Sequence, residues 1–183
     1  MTQLAVITGT SGGLGQSVAR RLANDGYTVV GIARRNVTPA DLGLAEDQYH
    51  HIEFDLGEID RIGELVSDLV KTHGTPYALI NNAAIGTDGL LPTMHNSDIE
   101  RLVRVNVTSP IVLTKYISRH MIAKRSGRIV NISSIVARTG YRGLAPYGAS
   151  KAALEASPAA SPATSAAARS PSTPLRRGSS PPT

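Results

Sequence analysis

The sequence predicts an α/β fold, a Rossmann-type doubly wound parallel sheet that stops after the fifth strand and the start of the following helix. Three observations predict it. Short runs that are apolar throughout alternate with segments of helical period, as in a sheet covered on both faces. The first of these runs passes straight into a glycine cluster that opens a helix. Beyond residue 155 the composition changes so sharply that no further packed element is expected.

Leu4-Ala5-Val6-Ile7 is the first strand. A helix follows from about Gly13 to Asp25, with Leu14, Val18, Leu22 and Ala23 on one side, and Gly26 stops it. YTVVGIA at 27–33 is the second strand and HIEF at 51–54 the third. Residues 59–73 form an amphipathic helix through Ile62, Leu65, Val66 and Leu69. YALIN at 77–81 is the fourth strand. Residues 97–125 read as one long helix, bent near Pro110, and GRIVNIS at 127–133 as the fifth strand. A last helix begins at about Tyr147. Right-handed crossovers between parallel strands then wind the sheet in both directions.

Charge and composition narrow the function. The net charge is +5, but residues 156–183 hold three Arg and no acid, so over half of it lies in the tail. The body shows no basic stripe interleaved with aromatics, and no nucleic-acid partner is expected. There is no cysteine, hence no disulfide and no thiolate metal site. His50, His51, His73, His95 and His120 form no metal-ligand spacing, so no metal site is expected. No apolar run approaches the roughly 20 residues of a membrane span, and MTQLAVITGT carries no cleavable signal pattern. A cytoplasmic protein without a membrane partner is expected.

The first strand ends in TGTSGGLG at residues 8–15. Here the backbone must turn sharply and approach a pyrophosphate with no Cβ in the way, which accounts for Gly9, Gly13 and Gly15. The helix behind it offers free N–H groups and the positive end of its dipole to the phosphates. The end of the second strand selects the cofactor. An acid there would hold the ribose 2′-OH of NAD, whereas arginine accommodates the 2′-phosphate of NADP. The chain has Ala33-Arg34-Arg35 and no acid until Asp41, which indicates NADP(H).

Downstream stand Ser134, Tyr147 and Lys151. Tyr147 and Lys151 are four residues apart and share one helix face. A free tyrosine titrates near pH ~10, and a neighbouring cation favours its phenolate and brings it toward useful acid–base chemistry. Ser134 lies just past the fifth strand, at the carboxyl edge of the sheet where ligands of such folds bind. Its hydroxyl is placed to orient a substrate carbonyl.

Together TGTSGGLG, NNAA at 81–84, Asn106, NISS at 131–134 and YGASK at 147–151 resemble the short-chain dehydrogenases/reductases, most closely the 3-oxoacyl-(acyl-carrier-protein) reductase-like members. The resemblance covers residues 4 to about 155, with order and spacing intact. It implies an NADPH-dependent reductase that turns a ketone, such as a 3-oxoacyl thioester, into an alcohol. Tyr147 would deliver the proton, Lys151 would lower the tyrosine pKa and hold the nicotinamide ribose, and Ser134 would hold the carbonyl. Asn106 would support a water that continues the proton relay. Ser11 and Leu14 would join the glycines at the phosphates, Asp55 would meet the adenine, and Asn81 and Ala83 would line the cofactor. Ala84 stands where the family usually has glycine. A homo-oligomer is implied for a full-length member.

The tail departs from that family. Ala, Ser and Pro make up 20 of residues 156–183, with one large aliphatic residue, Leu175, and no aromatic. Such a segment buries too little apolar area to offset its ordering entropy, so disorder is expected. The genetic code suggests an origin. With one nucleotide lost near Ala156, each hidden codon takes its last two bases from the first two of a visible codon. STPLRRGSSPPT at 172–183 then permits VNAVAPGFIATD, the family's continuation after a sixth strand, and SPAASPAT at 157–164 permits FTRSLARD. The expected consequence is an incomplete NADP-binding domain over 1–155, with its substrate site and subunit contacts compromised. The alternatives are a catalytically impaired NADP-binding fragment and a natural basic tail that binds a partner.

Overall fold

The computed structural model describes residues 2–157, and the expected disorder and frame slip of the tail lie outside them. Five strands form one parallel sheet: β1 (Leu4–Thr8), β2 (Thr28–Ala33), β3 (Tyr49–Glu53), β4 (Ala78–Asn81) and β5 (Arg128–Asn131). Their order is β3-β2-β1-β4-β5. The chain winds outward from β1 to β3, then returns to β4 on the other side of β1. The strand order reverses there, and a crevice opens at the carboxyl ends of β1 and β4.

Alternation along β1 feeds two cores. Leu4 and Val6 join Val30, Ile32, Leu79 and Ile129 against α3 (Ile62–His73) and α5 (Ser109–Ala123), which contribute Leu65, Leu69, Leu113, Ile117 and Met121. Ala5 and Ile7 join Val29, Ala78 and Ile80 on the opposite face, against Ala19 and Ala23 of α1 (Gly13–Asn24). Small residues on that helix let it lie close to the sheet. Both faces are thus covered, as the apolar strands require.

Five elements differ from expectation. β3 begins at Tyr49 rather than His51, because Tyr49 pairs with Val29 and is 1% exposed. The polar His50-His51 pair masks that start in the sequence. The long helix is three pieces: α4 (Asn96–Val103), a π-helical turn (Arg104–Thr108) and α5. Pro110 accounts for the break, since an α-helical ladder would need its missing N–H to reach the carbonyl of Asn106. Two short helices were not anticipated, α2 (Pro39–Leu42) and α6 (Val136–Thr139). The first has a readable signal, because Thr38 and Asp41 form a capping box ahead of it. The last helix, α7 (Ala145–Ala156), starts two residues before Tyr147, with Pro146 in its first turn.

Candidate active site

The β1–α1 turn is built around missing side chains. Gly9 has φ +76°, a conformation that favours glycine, and a Cβ there would lie 2.8 Å from the Ala83 Cα. A Cβ at Gly15 would overlap the Gly9 carbonyl oxygen. At Gly13 a Cβ would meet no protein atom, so glycine leaves the mouth of the helix open to a ligand. A cleft of about 530 Å³ runs from this turn across the carboxyl edge of the sheet.

Of the residues read from the sequence, the cleft brings together Gly9, Ser11, Gly13, Leu14, Gly15, Arg34, Arg35, Asp55, Ala83, Ser134, Tyr147 and Lys151. Arg35 reaches back to the glycine turn and donates to the Ser11 carbonyl at 3.1 Å. Arg34 and Arg35 are both exposed, a pair of guanidinium groups at the end of β2 suited to a phosphate. One Asp55 carboxylate oxygen accepts from Gly57 N–H at 2.8 Å. The Ser134 hydroxyl oxygen accepts from Val136 N–H at 3.3 Å.

Lys151 is 2% exposed, and its Nζ donates to the Ile132 carbonyl at 2.8 Å. Burial pushes its pKa down. Its ammonium lies 5.8 Å from the centroid of the Tyr147 ring, so the expected shared face is present. β5 and its following loop fix α7 in place. Asn131 donates to the Leu154 carbonyl at 3.0 Å, and Ser133 donates to the Lys151 carbonyl at 3.3 Å and to Glu155 at 3.0 Å.

Two site residues stand differently from expectation. Asn81 does not line the cleft. It is 3% exposed, and its amide donates to Thr114 and to Asn131, at 3.1 and 2.8 Å. Asn82, the first residue past β4, takes the cleft side and donates to the Thr8 and Gly9 carbonyls. Asn106 lies behind the cleft, and its side chain is held by protein groups. It accepts from Ile85 N–H and donates to the Ile85 carbonyl, both at 2.8 Å, and donates to Ser150 Oγ at 3.2 Å.

The cleft wall also includes Ile85, Arg101, Val105 and Ser133, which the sequence reading missed. Asn82 was within reach of it, as the neighbour of Asn81 in NNAA. Arg101 had no local signal, because only the packing of α4 brings it to the cleft. Among the described residues there is no group of three or more His, Cys, Asp or Glu side chains able to hold a metal ion. None of the described helices is long and apolar enough to cross a membrane.

A parallel sheet whose strand order reverses at a glycine turn, with serine, tyrosine and lysine gathered beside it, defines a Rossmann-type fold with its cleft at the switch point. Residues 3–160 match the family model described as short chain dehydrogenase, and the chain belongs to that family. It is 36% identical over 152 residues to a 3-oxoacyl-(acyl-carrier-protein) reductase of Buchnera aphidicola subsp. Schizaphis graminum, covering 82% of this chain and 62% of that protein. A short-chain dehydrogenase structure from Streptomyces avermitilis aligns with a TM-score of 0.79 at 31% identity, covering 84% of this chain and 57% of the other. A metagenomic short-chain oxidoreductase in complex with NADP aligns with a TM-score of 0.77 at 32% identity, over 84% and 72%. The chain spans about three fifths of the length of the curated relatives it matches.

Proposed function

We propose that the chain carries the NADP(H)-binding and proton-transfer centre of a short-chain dehydrogenase/reductase that reduces a ketone, with 3-oxoacyl thioesters as the substrate class. The observation that carries this reading is one cleft bounded by the glycine turn, by Arg34 and Arg35, and by Ser134, Tyr147 and Lys151. The relative from Buchnera supports the substrate class and the metagenomic NADP complex supports the cofactor.

The residues present fit an NADP(H) molecule. The glycine turn leaves a hollow that a Cβ at Gly9 or Gly15 would disrupt, and two arginines replace the acid that NAD would need. When bound, NADPH supplies the hydride. The chain supplies everything else in the step. Ser134 holds the ketone oxygen by a hydrogen bond, and Tyr147 gives that oxygen its proton. The Lys151 ammonium, one helical turn on, faces the charge left on the phenol. Asn106 supports a water through which Tyr147 is reprotonated. Asp55 and Arg101 bound the adenine end.

The test is NADPH consumption in the presence of a short 3-oxoacyl thioester. Tyr147→Phe is expected to lower the rate by at least about 100-fold, the range of a lost general acid. An unchanged rate in that variant would remove tyrosine from the mechanism.

A second reading, binding without turnover, is favoured by the change of composition at residue 156, where the family's pattern gives way to Ala, Ser and Pro. We further propose that residues 156–183 are the family's continuation read one nucleotide out of frame. The gene sequence tests this directly, since codons that do not spell that continuation in the shifted frame would refute it. A frame-restored chain that reduces the thioester, beside a natural chain that only binds NADPH, would establish the second reading.

A further inference from the structure

Behind the glycine turn, outside the lining of the cleft, three side chains meet that the proposed chemistry does not use. The Tyr49 hydroxyl donates to Thr10 Oγ1 at 3.1 Å and lies 3.2 Å from His51 Nδ1. Thr10 is fully buried and Tyr49 is 1% exposed. The phenol reaches Thr10 by crossing Gly31 of β2, where a Cβ would collide with the hydroxyl. The phenol oxygen thus stands between the Thr10 hydroxyl and the His51 ring. His51 Nε2 is buried without a hydrogen-bond partner, and burial pushes the pKa of the ring down.

A phenylalanine at 49 would fill the same apolar space without a polar group to bury. The chain instead uses a tyrosine, a histidine and a glycine to fix one threonine hydroxyl. That threonine stands between Gly9, with its φ of +76°, and Ser11, whose carbonyl accepts from Arg35. The turn is thereby tied at three successive residues: by its own backbone geometry, by Tyr49 and by Arg35.

We propose that Tyr49 is a positioning residue for the dinucleotide turn, holding Thr10 so that the loop is already in its ligand-binding form, with His51 orienting the phenol. This rests on the reading of the cleft as an NADP(H) site. A loop that populates its binding form only fractionally weakens the apparent affinity by that fraction. The hydroxyl therefore acts on cofactor affinity as well as on stability.

The experiment is a fluorescence titration of the full chain with NADPH, with the melting temperature recorded for each variant. Tyr49→Phe and Thr10→Val are each expected to raise the Kd roughly fivefold, the worth of one hydrogen bond, while Thr10→Ser stays within about twofold of wild type. The double variant Tyr49→Phe/Thr10→Val should be no weaker than either single one, because both remove the same bond. An unchanged Kd in both single variants, whatever happens to the melting temperature, makes the hydroxyl merely structural and overturns the proposal. If Tyr49→Phe does not fold, the two Thr10 variants carry the test. A wild-type chain that does not bind NADPH defeats the cofactor reading itself, and this proposal with it.

Discussion

Lys151 shows how a charged residue is held ready in a cleft. Its stem is buried and its ammonium has one carbonyl partner, that of Ile132. Burial penalises the charged form, so the folded pKa lies below the ordinary lysine value of 10.5. Between those two values the unfolded chain binds more protons than the folded one, and stability therefore rises with pH across that window. Lys151→Met abolishes this term. In urea melts at increasing pH, the stability of wild type relative to the variant is expected to rise as pH climbs toward 10.5. A difference that stays flat would mean that Lys151 is not desolvated. The spacing of Tyr147 and Lys151 was legible in the sequence because four residues make one helical turn. The Ile132 contact was not, because it depends on how α7 sits against the end of β5.

The broken helix between residues 96 and 123 is the element that most rewards comparison with its sequence. Its apolar period continues through Pro110, so periodicity alone reads one helix. A missing N–H does not alter that period, but it does alter the hydrogen-bond ladder. The result is a π-helical turn carrying Asn106 inward, where it holds both backbone groups of Ile85. The loop after β4 is thus bound to the helix layer through one side chain. Asn106→Ala leaves the Ile85 N–H and carbonyl without those partners and is expected to cost about 2–4 kcal/mol in denaturant unfolding. As a control, Ser118→Ala removes only an exposed contact to the Lys115 carbonyl and should stay within about 0.5 kcal/mol. Equal melting of the Asn106 variant and wild type would show that the clamp does not hold the loop. Asn81 teaches a related lesson. The NNAA motif marks a polar strand end, but only the path of the chain as it leaves β4 decides which asparagine faces the cleft. The inward one instead links β4 to β5 and α5.

The described residues form a doubly wound parallel sheet, a class that followed from apolar runs alternating with helices. The cofactor end was legible because glycines and strand-end arginines lie close together in sequence. Arg101 and the Tyr49–Thr10 contact were not, since each joins segments far apart in the chain. Among the described residues β5 is an edge strand, and Val130 on it is 48% exposed. An exposed, apolar, β-branched edge is a template for intermolecular pairing. Val130→Lys is expected to reduce light scattering on concentration while leaving the melting temperature within a few degrees, and unchanged scattering would place the sticky surface elsewhere. The central claim is that the cleft receives NADP(H) through the β1–α1 turn and the two arginines at the end of β2. Paired titrations of wild type and Arg34→Asp with NADPH and NADH test it most directly. The account predicts saturable binding with NADPH tighter than NADH in wild type, and loss of that preference in the variant. Tighter binding of NADH by wild type, or no saturable binding of either nucleotide, would contradict it.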